Sequence, residues 1–297
     1  MKKKVRNFLA YCVAQTFILS GKVRKAKQSA LTEEKILSIY FHKPSKEEFE
    51  FAIKWLKKNG FYFISVEDIK AIIKGAMPFP KGAALITVDD GWASNIENMA
   101  KVADREKVPI QIFLATEAIE QGNFWFSTAK KANKYKLNLP NKDELKLLPN
   151  VERLKFMASI QDKIKAPREA MTVQEIKNIL SDFVSVGAHS HSHPILIRCS
   201  ESELKFEITH SKEKVELWTE KPISTFAYPN GDYGSREIAL LKKNNFELAF
   251  STIPKVLTKD MLHDNYCLPR IGFLEGGSKA ENICRMVGIW HSNTKVN

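Results

Sequence analysis

The chain has 297 residues, 44% of them hydrophobic and 27% charged, and a formal net charge of +12. That length and balance suit a globular protein with one large core and exclude a disordered or fibrous chain. The basic surplus favours acidic partners, among them phospholipid head groups, nucleic acid and anionic saccharides.

The first 29 residues hold Lys2, Lys3, Lys4, Arg6, Lys22, Arg24, Lys25 and Lys27 and no acidic residue. At helical spacing, Val5, Phe8, Leu9, Cys12, Val13 and Phe17 fall on one stripe, which predicts a basic amphipathic segment over residues 1–30 that lies on an anionic membrane. Gln15 and Thr16 interrupt the apolar run, so it is too short and too broken to span a bilayer. A cytoplasmic protein, peripheral on the inner membrane face, is the expectation; export or anchoring through this segment is the alternative. The cysteines, Cys12, Cys199, Cys267 and Cys284, form no close pair, which excludes a zinc ribbon or redox motif and suits a reducing compartment.

Residues 31–297 read as a single α/β unit. Ile36–Phe41 is a short apolar run, a buried strand. Ser45 followed by Glu48 forms a capping box for a helix that Gly60 ends. Strands are expected at 61–65, 84–88, 110–114, 183–188, 224–228, 247–251 and 268–272, with helices at 200–218 and 235–244. Strands that alternate with helices pair in parallel through right-handed crossovers. About seven to eight of them predict a distorted (β/α) barrel. The stretch 122–168, rich in Lys, Asn and Leu and opened by Asn123-Phe124-Trp125-Phe126, breaks the rhythm and reads as a helical insertion. No glycine-rich phosphate loop follows a strand, so nucleotide binding has no support and no nucleic acid partner is expected.

Working residues of a parallel barrel sit where strands end. The residues there are His42, Asp89, Asp90, His189, Pro229, Asn230 and Arg270. Two adjacent carboxylates in Thr87-Val88-Asp89-Asp90-Gly91 are costly unless a cation or proton shares the site. In Gly187-Ala188-His189-Ser190-His191-Ser192-His193-Pro194, His189 and His193 are four apart; a helical turn after the strand would put them on one face, with His191 pointing away. One carboxylate and two imidazoles leave an open position, the composition of a catalytic metal site.

These motifs resemble those of the polysaccharide deacetylases, carbohydrate esterase family four. Thr87–Gly91 is similar to the family's first motif, His189–Pro194 to its second and Phe226-Ala227-Tyr228-Pro229-Asn230-Gly231 to its third, and the similarity covers about residues 36–273. The resemblance implies Asp89 as general base and Asp90, His189 and His193 as ligands of one divalent ion, with zinc as first choice and cobalt, nickel or iron as alternatives. It assigns the backbone N–H of Asn230 to the oxyanion. Ala227 stands where the family has an arginine that positions the base, and Arg270 could supply that charge from the last strand, within a few ångströms of Asp89. The late histidine that provides the general acid has no clear counterpart; His42, His191, His263 and His291 are the candidates. The implied activity is metal-dependent removal of an N-acetyl or similar acyl group from an amino sugar of a polysaccharide or lipid-linked saccharide. A catalytically silent glycan-binding protein and hydrolysis of a different amide are the competing functions.

Overall fold

A computed structural model describes residues 2–134, 137, 140–160, 163, 164 and 166–290. Its nine strands are β1 (Lys35–Phe41), β2 (Tyr62–Ile64), β3 (Ala83–Val88), β4 (Ile110–Leu114), β5 (Val184–Ala188), β6 (Thr225–Ala227), β7 (Leu248–Phe250), β8 (Leu257–Thr258) and β9 (Ile271–Gly272). They form one sheet in the order β7-β6-β5-β4-β3-β1-β8. β2 pairs with the first half of β3 and β4 with the second half. β9 lies in parallel beside β1, and a parallel bridge joins Phe250 of β7 to Leu268 just ahead of β9. The sheet therefore curls round into the distorted (β/α) barrel that the alternation predicts. One pairing departs from the all-parallel expectation: β8 runs antiparallel to the start of β1. β7 runs in the same direction as β1, and the short loop after it holds no crossover helix, so the chain turns straight back and β8 reaches β1 in the opposite direction.

Every residue of β3 is buried, because helices cover the sheet outside and side chains fill it inside. Helix starts follow local chemistry. Capping boxes at Ser45/Glu48, Ser65/Asp68, Thr172/Glu175 and Ser200/Glu203 satisfy the first free N–H groups of four helices. The helix Lys46–Lys58 buries Phe49, Ala52, Ile53 and Leu56 and stops at Asn59, just before Gly60 at φ 88°.

The N-terminal segment is two helices where the stripe implies one. α1 (Lys2–Leu19) and α2 (Lys22–Thr32) are divided at Gly21, which adopts φ 76°. α1 buries Ala10 and Ala14 and leans on the helix Lys279–Met286. Phe17, expected on the outward stripe, turns inward and meets Trp290 at 6.1 Å between ring centroids. Val5, Phe8, Leu9, Cys12 and Val13 stay exposed. The stretch after β4 carries the helices Trp125–Lys134, Lys142–Leu147 and Asn150–Ala158. Among the described residues no helix is long and apolar enough to cross a membrane, and all four cysteines are free.

Candidate active site

β3 ends on Asp89 and Asp90, both buried. The pair occupies different surroundings. Arg270 holds Asp89 in a two-pronged contact, Nη1 to Oδ1 at 2.7 Å and Nη2 to Oδ2 at 2.8 Å. The same guanidinium donates to Thr87 Oγ1 and to the Ser251 carbonyl and lies 4.7 Å from the Tyr40 ring centre. Arg270 is fully buried, so its charge is compensated almost wholly by Asp89. Burial pushes the Asp89 carboxyl up, but the Arg270 charge more than offsets this and the group stays below its usual range. The charge beside Asp89 thus comes from Arg270, just ahead of β9 and distant in sequence.

Asp90 faces the other way. The Trp92 indole donates to Oδ2 at 2.8 Å. Oδ1 is buried with no hydrogen-bond partner, 3.5 Å from His189 Nε2 and 3.3 Å from His193 Nε2. Tetrahedral ligands at ordinary zinc distances would sit about 3.4 Å apart. The three donor atoms lie within 4.8 Å of one another, and no other such group of three exists among the described residues. His189 Nδ1 sits 2.7 Å from the Ala227 carbonyl, which can only accept, so Nδ1 carries the proton and Nε2 presents a lone pair toward Asp90. Burial lowers both imidazoles; the charge of Asp89 and contact with Asp90 bring His189 back up, while His193, beside His189, remains low. An orphaned carboxylate oxygen facing two imidazole nitrogens is a donor set that fits a divalent ion.

The histidines meet for a reason other than the expected helical turn. The chain after β5 is irregular, with Ser190 at φ 62° and His193 at φ 53°. Glu207 pins it: its carboxylate accepts from the backbone N–H of His191 and Ser192, each at 2.8 Å, and from Ser192 Oγ at 2.6 Å. Among the described residues seven non-glycine residues have positive φ, and four of them (Asp90, Ser190, His193 and Asn230) lie at this site. Such conformations cost free energy and persist where the surroundings over-determine them.

His191 points away from His189 and His193 although no helical turn separates them. Its ring lies 2.8 Å from Thr116 Oγ1 and edge-on to Phe206 and His210. His263 is exposed and follows β8, which pairs with the far end of β1. His291 lies outside the described residues. His42 sits at the end of β1, edge-on to Tyr40 at 5.4 Å between ring centres, and its carbonyl accepts from Asn95 Nδ2.

Asn230 lies in a tight turn at φ 61°, and Gly231 follows at φ 85°. A Cβ on Gly231 would fall 2.0 Å from Thr252 Oγ1, so the turn requires glycine. The insertion closes over this rim. Trp125 Nε1 donates to the His193 carbonyl, Arg153 donates to Ser192 Oγ, and Lys146 donates to Asn230 Oδ1 at 2.7 Å. Phe126 packs 5.1 Å from the His193 ring. The sequence reading missed Trp92, Lys146, Arg153 and Glu207; only the Phe124-Trp125-Phe126 run hinted that the insertion had an aromatic purpose.

A distorted barrel with a carboxylate–imidazole cluster at its strand ends is the layout of a hydrolase. The chain belongs to the polysaccharide deacetylase family, whose sequence pattern matches residues 76–249. It is 24% identical over 242 residues to poly-beta-1,6-N-acetyl-D-glucosamine N-deacetylase of Staphylococcus aureus strain NCTC 8325, covering 78% of this chain and 71% of the relative. Two solved structures share the fold. The Streptococcus pyogenes deacetylase PplD in complex with acetate superposes with a TM-score of 0.62 at 16% identity, over 85% of this chain and 98% of that one. IcaB from Ammonifex degensii does so with a TM-score of 0.62 at 17% identity, over 86% and 97%.

Proposed function

We propose that this polysaccharide deacetylase removes N-acetyl groups from an amino-sugar polymer such as poly-β-1,6-N-acetylglucosamine and needs one divalent ion, zinc by preference, held by Asp90, His189 and His193. One observation carries the reading: adjacent carboxylates are split, one locked to Arg270 and the other left with an unpartnered oxygen before two imidazoles.

When bound, the ion supplies Lewis-acid polarisation of the acetamide carbonyl and acidifies water. Asp89 is free of the ligand set, ionised and fixed by Arg270, so it can take the proton of the attacking water. The Asn230 backbone N–H donates to the oxygen as negative charge develops on it. His42 gives the proton that lets the amine leave; its place directly after β1, whose last carbonyl accepts from the Asp89 N–H, supports it over His191 and His263. Trp125 and Phe126 wall the site and exclude water from one side.

The test is acetate and free-amine release from β-1,6-linked N-acetylglucosamine oligomers. Turnover that a chelator abolishes and zinc restores is the expected result. Turnover indifferent to the chelator, or tight oligomer binding with no amine released, overturns the reading.

A further inference from the structure

The net charge of +12 is unevenly held. Residues 1–32 contain eight cations and no anion, and residues 122–168 contain eleven cations and four anions. These two segments together carry more positive charge than the whole chain, and the remainder is slightly acidic.

The same segments expose apolar surface. Among the described residues, nine of the thirteen exposed large apolar side chains lie in them. On α1 they are Val5, Phe8, Leu9, Tyr11, Val13 and Leu19, with Phe8 at 65% exposure; on the insertion they are Leu147, Val151 and Leu154, with Leu147 at 66%. Val151 and Leu154 lie three apart on the Asn150–Ala158 helix, and Leu147 ends the helix before it, across the turn at Leu148 and Pro149. Isolated exposed apolar residues are ordinary, but contiguous stripes on basic segments mark an interaction surface.

The start of α1 and the insertion both reach the catalytic rim. The start of α1 is tied there by Asn7 Nδ2, which donates to the Gly276 carbonyl, while the neighbouring Glu275 carboxylate accepts from the His42 backbone N–H. The insertion is tied to the rim by Lys146 on Asn230 and Arg153 on Ser192. One foot is beside β1 and β9, the other above β5 and β6, and the site lies between them.

We propose that this face docks on an anionic membrane, with α1 and the insertion as two basic, apolar feet that set the catalytic mouth against the lipid surface. Apolar side chains enter the head-group boundary while lysines meet acidic head groups, the combination that holds amphipathic helices at interfaces. Charge complementarity selects lipid over a second copy of the chain, because two such faces would repel. A saccharide carried at a membrane surface would thereby reach the site.

Co-sedimentation of the full chain with vesicles tests this, using phosphatidylcholine alone and phosphatidylcholine mixed with phosphatidylglycerol. Binding to the anionic vesicles is expected, weakening as salt rises from 0.1 to 0.5 M by ~tenfold or more. The double variants Phe8→Glu/Leu9→Glu and Leu147→Glu/Leu154→Glu should each lose ~tenfold in binding. Should either fail to fold by thermal melting, Lys4→Glu and Lys155→Glu, at exposed positions, read the same attraction. Binding unchanged by these substitutions, equal binding to neutral vesicles, or a stable dimer in light scattering that the variants dissolve would overturn the proposal. Vesicle binding is read without turnover, so a failure of the deacetylation reading leaves this test standing.

Discussion

At the scale of single residues, the chemistry turns on what separates Asp89 from Asp90. They are neighbours in sequence, yet the strand alternation and the φ of 78° at Asp90 send their carboxylates to different partners. Asp89→Asn is expected to keep zinc in elemental analysis while turnover falls ~10²–10⁴-fold. It also leaves the buried Arg270 without its counter-charge, at a cost of about 3–5 kcal/mol in denaturant unfolding. Adding Arg270→Met should recover part of that stability and none of the turnover. Asp90→Asn should lose zinc together with activity. A retained metal in Asp90→Asn, or near-normal activity in Asp89→Asn, contradicts the assignment of roles.

At the scale of elements, the His189–His193 loop is held by a helix that supplies no ligand. Glu207, on the helix Glu201–Thr219, is buried and accepts two backbone N–H groups of that loop. Burial pushes the Glu207 carboxyl up, while Ser192 and Arg153 draw it back. Glu207→Ala leaves those donors unpaired and frees residues that sit at positive φ only because they are held. Zinc affinity measured by competition with a chromophoric chelator is expected to fall ~10–100-fold, with a smaller loss for Glu207→Gln, which keeps one acceptor oxygen. Unchanged affinity in Glu207→Ala would mean that the loop is fixed by the insertion alone, through Trp125 and Arg153.

At the scale of the whole molecule, the end of the barrel opposite the site is fastened by charge. Glu247, at the start of β7, meets Lys74 at 2.6 Å, Lys70 at 3.4 Å and Ser224 Oγ at 3.1 Å, which joins the helix Val66–Ile73 to β6 and β7. The Lys74 hydrogen bond, working against burial, lowers the Glu247 carboxyl to about 2 from 4.5. A lowered folded-state value gives stability that is complete above pH 4.5 and lost as pH falls toward 2. Because Glu247 is 40% exposed, solvent screens the contribution and it should stay below about 1 kcal/mol. Glu247→Gln is therefore expected to unfold slightly more easily than wild type at pH 7 and equally at pH 2, by urea titration. A deficit that persists at pH 2 would assign the effect to packing instead of charge.

Much of this architecture was legible along the chain because it is built from local rules. Hydrophobic period and capping chemistry marked the strands and most helices, and the strand-end positions of Asp89, Asp90, His189 and His193 follow from a barrel whose strands, β8 apart, point one way. The break at Gly21 and the antiparallel β8 were not legible, since a left-handed glycine and a loop too short for a crossover are read only once neighbours are placed. The sequence by itself determined the fold class and the residue types of the site. The tertiary structure alone decided that Arg270 grips Asp89 across 181 positions and that a pinned loop brings the two histidines together. Each of these depends on which strands and loops end side by side, and closure of the sheet sets that.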